Sequence, residues 1–291
     1  MLPAMAARPR IAIVGAGNLG SALALSLRQA GYRIPSVIAR SGGASWRRAE
    51  KLAKEIGASV SSGPSKTERA EVFWLCVPDG EIARATRALA TGITWKGKVA
   101  LHSSGALASD ELAPLRARGA AVASVHPLMT FVPGSRPSLG GVPFAIEGNA
   151  GAVRVARRIV RDLGGIVYSI RKADKAAYHA WGTFASPLFT ALLATTEKVA
   201  ATAGVQPREA RNRMIPILLQ TLANYAAFGA RGAFSGPIIR GDVDTVKRHL
   251  RVLRKAPAAR KVYLALALAA LNQLPARNKK SLKQVLDSRG N

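Results

Sequence analysis

The stretch IAIVGAGNLG, residues 11–20, constrains the fold of this chain more than any other part of its sequence. Four apolar residues run directly into a turn that carries glycine at positions 15, 17 and 20. This G-x-G-x-x-G spacing permits a tight turn, close approach of the backbone to a pyrophosphate, and tight packing of a strand against a helix. It predicts a strand, turn and helix that open a dinucleotide-binding fold. The alternative is a glycine turn without a ligand.

Short apolar runs alternate with amphipathic stretches as far as Arg171. Strands that are apolar throughout, with helices between them, are typical of a parallel sheet covered on both faces. We therefore predict an α/β chain whose residues 1–171 form a doubly wound, mostly parallel Rossmann sheet. The predicted strands are 11–17 (running into the glycine turn), 34–40, 58–60, 72–79, 98–105, 120–128, 142–148 and 166–170. The predicted helices between them include 18–31, 45–57 and 81–90.

No strand-like run follows Arg171. Helical patterns cover residues 172–203, 207–229, 242–255 and 258–273, and a polar tail begins at residue 275. We predict an all-helical domain over residues 172–291 that binds substrate and forms a homodimer, because helical domains of this size often bury surface between subunits.

The chain is strongly basic, with 43 Lys and Arg residues against 16 Asp and Glu residues and a net charge of +27. Such an excess raises nucleic acid as a partner. The basic residues are scattered along predicted helices, and no zinc-knuckle cysteines, RNA-binding aromatic strand or helix-turn-helix accompanies them. We therefore expect no nucleic-acid partner, but a positive field that attracts a phosphate-bearing cofactor and a small anionic substrate.

The single cysteine, Cys76, permits no intrachain disulfide, which favours a reducing, cytoplasmic setting. The first ten residues lack the apolar segment of a signal peptide. The longest apolar run, residues 262–271, is too short to cross a bilayer. We expect a cytoplasmic protein with no membrane partner, and we predict no metal site.

The end of the second predicted strand favours NADP(H) over NAD(H). An NAD site usually has Asp or Glu here to bind the ribose 2′-hydroxyl. This chain has Arg40 and Ser41, a guanidinium and a hydroxyl that suit a 2′-phosphate, and Arg47 and Arg48 follow in the next helix. For these two arginines, a solvated helix face is an equally good interpretation.

Five more residues complete the predicted cofactor site. Asn18 and Leu19 lie within the glycine motif, and Val77, Pro78 and Asp79 end the strand that begins at residue 72. Because ligands of a doubly wound sheet lie beyond the carboxyl ends of its strands, we expect the second group on the nicotinamide side. Asp79 also suits the N-cap of the following helix, an interpretation compatible with the first.

Two of the four histidines, His102 and His126, each close a predicted strand. Both therefore project toward the carboxyl edge of the sheet, where Ser103 and Ser104 follow the first of them. The sequence predicts a polar pocket floor that binds substrate. The alternative is that both histidines are structural.

Lys175 and His179 lie one helical turn apart in KAAYHAWGTFASP. A partly buried lysine has a depressed pKa and can protonate a developing alkoxide. The alternative is a solvated lysine beside an interface histidine.

The stretch GPIIRGDVDTVKRHL, residues 236–250, contains Arg240, Asp242 and His249. Asp242, Thr245 and His249 share one helix face. Asp242 is also a competent N-cap, so a turn followed by a capped helix explains the stretch without any functional role.

The motifs GAGNLG, VPD, HSSGAL, SVHPLMTF, KAAYHAWGTFAS and GPIIRGDVDTVKRHL occur in this order. Together they resemble bacterial Rossmann-like NADP-dependent oxidoreductases with a C-terminal helical domain called domain of unknown function 2520. The resemblance covers residues 9 to about 272. The broader superfamily includes 6-phosphogluconate dehydrogenase, pyrroline-5-carboxylate reductase and ketopantoate reductase.

This resemblance implies a reductase of a small 2-oxo acid, with 2-dehydropantoate as the leading substrate. It implies that Gly15, Gly17, Gly20, Arg40 and Ser41 bind NADP(H). It also implies a substrate cleft between the domains, formed by His102, Ser103, His126, Lys175, His179, Arg240, Asp242 and His249.

In this scheme Lys175 or His179 supplies the proton and Arg240 pairs with the substrate carboxylate. Asp242 completes the predicted catalytic set by orienting His249 or Lys175. One departure from the family is Pro187, which stands in FASP where relatives have an asparagine that binds substrate. The alternatives are an imine reductase of the pyrroline-5-carboxylate type, a non-catalytic NADPH-binding regulator, and, favoured only by the charge, a nucleic-acid binder.

Overall fold

A computed structural model describes residues 8–64 and 69–287 of the chain. It divides into two compact units, Met1–Thr183 and Phe184–Asn291. This division falls later in the chain than the domain boundary drawn after Arg171, which stays a prediction. The N-terminal segment that lacks a signal-peptide pattern is residues 1–10. Its residues 1–7 lie outside the described residues.

The first unit is built on one eight-stranded sheet with the order β3-β2-β1-β4-β5-β6-β7-β8. All neighbouring strands are parallel except β6 and β7, which are antiparallel. The strands are β1 (Ile11–Val14), β2 (Ser36–Ile38), β3 (Ser59–Ser61), β4 (Val72–Leu75), β5 (Val99–His102), β6 (Ala121–Pro127), β7 (Pro143–Gly148) and β8 (Ile166–Ser169).

Helices cover both faces of this sheet, as the unbroken apolar strands predict. Ile11 and Ile13 of β1 pack on one side with residues of α1, α2 and α5, whereas Ala12 and Val14 pack on the other side with residues of α3 and α4. The predicted doubly wound Rossmann architecture is confirmed. These helices are α1 (Asn18–Gln29), α2 (Gly43–Ile56), α3 (Asp79–Leu89), α4 (Ala113–Arg116) and α5 (Ala150–Asp162).

The chain after β8 is helical, as predicted. A 3₁₀ turn at Lys172–Asp174 precedes α6, and another at Leu253–Lys255 follows α10. The helices are α6 (Lys175–Ala185), α7 (Pro187–Ala201), α8 (Pro207–Ala233), α9 (Pro237–Arg240), α10 (Val243–Val252), α11 (Pro257–Gln273) and α12 (Lys279–Asp287). Within the described ranges, no helix combines the length and apolarity needed to cross a membrane.

The continuous helix predicted for residues 172–203 is wrong, because the helix is interrupted at Ser186. That residue has φ −127° and ψ −77°, and Pro187 occupies the first position of α7. Proline has no amide hydrogen to donate, and its ring disfavours helical geometry in the residue before it. The departure from the family motif therefore coincides with a real break in the backbone.

The polar tail predicted from residue 275 is also wrong as a description of that segment. Residues 279–287 form α12, whose Leu282 and Leu286 are buried against α10 and α11. The two leucines lie one turn apart and share a face, while the polar residues of the helix stay exposed. A short amphipathic helix with few apolar residues was mistaken for a tail.

Candidate active site

The glycine turn between β1 and α1 is shaped by contacts that only glycine permits. Gly15 has φ +99°, and its amide donates to the Ile38 carbonyl oxygen at 2.8 Å. A Cβ at Gly15 would lie 2.8 Å from Val77 Cγ1, and one at Gly20 would collide with the Gly15 carbonyl oxygen. At Gly17, by contrast, the nearest atom to a Cβ is 4.0 Å away. Space beside Gly17 is therefore open.

The N-terminus of α1 suits a diphosphate. Gly17 provides no side-chain cap, and no acidic residue lies in the first turn. The first-turn amides and the positive end of the helix dipole therefore remain for an external anion. Asn18 is exposed and donates from Nδ2 to the Phe131 carbonyl oxygen at 3.2 Å, whereas Leu19 packs partly against the core.

Arg40 and Ser41 are exposed just beyond the end of β2. Arg40 forms no hydrogen bond or ion pair with any residue in the ranges 8–64 and 69–287. Arg47 and Arg48 are exposed on α2, and no carboxylate occurs between residues 39 and 49. The residues present therefore fit an adenosine 2′-phosphate better than a 2′-hydroxyl.

Val77, Pro78 and Asp79 follow β4 at the same edge of the sheet. Pro78, not Asp79, is the N-cap of α3, and Asp79 is the first helical residue. The N-cap interpretation of Asp79 is therefore wrong, although its carboxylate lies at the positive end of the helix. Cys76, immediately before this group, is buried, and burial raises the pKa of its thiol to about 12.

A row of buried polar side chains crosses the sheet at the neighbouring strands. His102 of β5 pairs with Ser124 of β6, and Ser124 pairs with Glu147 of β7. All three are buried. Because buried polar groups are almost always hydrogen-bonded, we expect each of these three side chains to have partners in the loops and helices around it.

Both ring nitrogens of His102 are used within the protein. Nε2 lies 3.0 Å from the Ala108 carbonyl oxygen, and Nδ1 accepts from the Ser104 amide at 3.1 Å. Burial lowers the pKa of His102 to about 4, so the ring is neutral at physiological pH. These contacts favour the structural alternative for His102, as the residue that fixes the loop after β5.

That loop carries Ser103 and Ser104, which are both buried. The Ser103 hydroxyl accepts from Trp74 Nε1 at 2.8 Å. The Ser104 hydroxyl accepts from the amides of Ala106 and Leu107 and so shapes the turn. The Ser104 carbonyl oxygen is left to face Lys175.

Lys175, the first residue of α6, is 1% exposed. Its Nζ donates to Ser124 Oγ at 2.7 Å and to the Ser104 carbonyl oxygen at 3.0 Å. Ser124 Oγ in turn donates to the same carbonyl at 3.3 Å. Burial lowers the pKa of Lys175, while the carboxylates of Glu147 and Asp79 act in the opposite direction. The alternative of a solvated lysine is therefore wrong.

Glu147 is a buried carboxylate held in place by Ser109, whose amide and hydroxyl donate to it at 2.6 and 2.8 Å. Its negative charge acts on Lys175, and the sequence pattern gave no reason to single it out. Its β7 segment, PFAIEG, was recognised only as a strand.

His126 and His179 meet beside Gly105. Their rings lie edge to face with centroids 6.2 Å apart. A Cβ at Gly105 would lie 2.6 Å from His179 Cδ2 and 2.9 Å from His126 Nε2, so glycine is required for this approach. His126 Nδ1 lies 2.7 Å from the hydroxyl of Tyr178, a buried residue that sequence analysis also missed.

The structure therefore brings five of the predicted site residues together at the carboxyl ends of β5 and β6. They are His102, Ser103, His126, Lys175 and His179. Ser104, which the sequence places beside Ser103 after His102, joins them, as do Ser124, Glu147 and Tyr178. Of the last three, only Tyr178 carried a sequence signal, its place beside His179 in the same helix.

The other three predicted residues belong to the second unit. Asp242 is the N-cap of α10 and accepts from the Thr245 amide at 3.0 Å and from the Thr245 hydroxyl at 2.7 Å. His249 is exposed, with Nδ1 3.2 Å from the Tyr263 hydroxyl, and Arg240 is exposed at the end of α9. Capping accounts for Asp242, and its catalytic role stays a prediction, as do the roles of Arg240 and His249 in binding substrate.

Comparisons with solved structures support the fold. An NADP oxidoreductase from Bacteroides fragilis, so named provisionally, is 21% identical over 90% of this chain and 97% of its own, with a TM-score of 0.76. A reductive aminase from Aspergillus terreus, solved with NADPH and ethyl-5-oxohexanoate, is 16% identical over 96% and 99%, with a TM-score of 0.66. A pyrroline-5-carboxylate reductase from Coxiella burnetii is 15% identical over 95% and 99%, with a TM-score of 0.57.

None of the curated proteins matches the chain. Two family models do: a Rossmann-like domain over residues 4–127 and a domain of unknown function (DUF2520) over residues 142–270. The second match begins next to β7, the strand that pairs antiparallel with β6. The chain therefore contains a Rossmann-like domain followed by the domain of unknown function DUF2520.

Proposed function

We propose that this chain is an NADPH-dependent oxidoreductase that reduces the carbonyl group of a small 2-oxo acid, with 2-dehydropantoate as the first candidate. The observation that carries the proposal is the buried ammonium of Lys175 at the carboxyl edge of the sheet that also bears the glycine turn. A cofactor turn and a buried proton donor at one sheet edge are the two parts that such a reduction requires.

The glycine turn and the residues after β2 hold the cofactor, which when bound supplies the hydride. The first-turn amides of α1 bind the diphosphate, beside the open space at Gly17. Arg40 and Ser41 bind the 2′-phosphate, because a guanidinium forms strong charge-assisted hydrogen bonds with phosphate oxygens.

Lys175 donates the proton to the carbonyl oxygen as that oxygen becomes an alkoxide. An ammonium has three donors, and two are used by Ser104 and Ser124, so one remains for substrate. Burial lowers the pKa of Lys175 toward neutral pH. Proton transfer is most effective when the pKa of the donor lies near the working pH. The product is the alcohol, and the neutral amine regains its proton from solvent.

A net charge of +27 favours an anionic substrate. Ser103 and His126, which belong to the same unit as Lys175, contact the substrate in this scheme. Arg240 and His249 are assigned to substrate binding on the sequence prediction alone. An imine reductase is the second candidate, because the fold is shared with a reductive aminase and a pyrroline-5-carboxylate reductase. Protonation by Lys175 serves either reaction, and parallel assays with 2-dehydropantoate and a cyclic imine separate them.

We also propose that the protein is a homodimer, assembled through α8. This helix of 27 residues, whose backbone leaves helical geometry at Gly229, buries only Ala210, and most of its large apolar side chains are exposed: Ile217 is 68% exposed and Phe228 is 67% exposed. Apolar surface on this scale marks an interaction site, and a second copy of the chain provides a matching apolar face.

Arg40→Ala should weaken NADPH binding by about 10- to 100-fold, the loss expected for one or two charged hydrogen bonds. Binding of NADH, which lacks the 2′-phosphate, should be unchanged. Titration of cofactor fluorescence measures both. Arg87→Ala removes the same charge from an exposed site on α3 and should affect neither cofactor. Equal loss of NADPH and NADH binding in Arg40→Ala would contradict the assignment.

Lys175→Met should lower kcat by about 10²- to 10⁴-fold while NADPH binding is retained, because methionine fills the site without a proton to give. The measurement is NADPH absorbance with each candidate substrate. Lys172→Met, at an exposed lysine in the same segment, is the matched control. Full activity of Lys175→Met, or tight NADPH binding by the wild type without turnover of any 2-oxo acid or imine, would count against the proposal.

Leu222→Glu on α8 should convert the dimer to a monomer, because it places a charge on the apolar face of α8. Gln220→Glu, which adds the same charge at a polar exposed position, should leave the dimer intact. Sedimentation velocity distinguishes the two states. A monomeric wild type at micromolar concentration would refute dimerisation through this helix.

A further inference from the structure

We propose that Tyr178 is a positioning residue that fixes His126 as the neutral tautomer with its proton on Nε2, so that His126 offers substrate a hydrogen-bond donor and not a positive charge. The Tyr178 hydroxyl lies 2.7 Å from His126 Nδ1, with the two rings edge to face and their centroids 5.4 Å apart.

The direction of this hydrogen bond follows from the acidity of its partners. A phenol is a stronger acid than a neutral imidazole N–H, and an imidazole nitrogen is a stronger base than a phenol oxygen. The hydroxyl therefore donates and Nδ1 accepts. Burial raises the pKa of Tyr178, and the neighbouring Tyr168 hydroxyl adds to the rise, so the hydroxyl keeps its proton at every physiological pH. The Tyr168 hydroxyl forms no hydrogen bond within the described residues, which leaves His126 Nδ1 as the acceptor of the Tyr178 proton.

The charge state of His126 follows from its neighbours. Burial is the main cause that lowers its pKa to about 4, and the positive charge of Lys175 adds to the effect. A neutral ring that accepts at Nδ1 must carry its one proton on Nε2. That nitrogen lies against Gly105 and has no hydrogen-bond partner among residues 8–64 and 69–287.

The Nε2–H of His126 is therefore a donor with no partner among the described residues, located in the cluster that contains Lys175. This inference rests on the proposed function and gives the two residues different roles. Lys175 transfers a proton, whereas His126 donates a hydrogen bond to the substrate without transferring its proton. His102 has the same predicted tautomer but both of its nitrogens are engaged, so it cannot act in this way.

The test is long-range ¹H–¹⁵N NMR of histidine-labelled protein, which reports the tautomer of each of the four rings. The His126 signals are identified by their loss in His126→Gln. We expect the Nε2–H pattern for wild-type His126, unchanged down to about pH 5. A protonated Nδ1 would overturn the proposal, and this result requires no variant of Tyr178 and no turnover.

Tyr178→Phe removes only the hydroxyl. Because that hydroxyl fixes the proton on Nε2, its loss should allow both neutral tautomers of His126 to be populated, while burial and the charge of Lys175 keep the titration midpoint low. The His102 signals, which have no contact with Tyr178, should not move. An unchanged His126 spectrum in Tyr178→Phe would also overturn the proposal. Since the spectra need no substrate, failure of the reductase assay and failure of this inference are distinguishable.

Discussion

The arrangement of the candidate site depends on one interaction, the burial of the Lys175 ammonium against the Ser104 carbonyl and the Ser124 hydroxyl. Taking such a charge out of water costs several kcal/mol unless hydrogen bonds and opposite charges offset the loss. The two oxygens supply the hydrogen bonds, and Glu147 supplies a fixed negative charge.

Other features of the cluster follow from the same charge. The Ser104 carbonyl is available because its own loop is folded by His102 and by the Ser104 hydroxyl. His126 stays neutral partly because Lys175 is close. A site with one protonated lysine between neutral imidazoles is suited to delivering a proton to an oxygen that gains negative charge.

The strands, the glycine turn and the change to an all-helical second half could be predicted from sequence, because each has a local signal. Gly15 and Gly20 are forced by contacts with Val77 and with each other, which the motif encodes directly. The site was predicted less completely. Ser124 and Glu147 lie within apolar strands, and only the register of β5, β6 and β7 places them beside His102 and Lys175. Sequence spacing contains no information on that register.

The central claim is that Lys175 is a buried ammonium whose proton is weakly held, and its titration tests this most directly. Carbon-13 NMR of lysine-labelled protein, assigned with Lys175→Met, follows the Cε signal with pH. We predict a midpoint below the ordinary 10.5, and a lower one in Glu147→Gln, because removal of the carboxylate further disfavours the charged form. A midpoint at or above 10.5 in the wild type, or a rise in Glu147→Gln, would contradict the account.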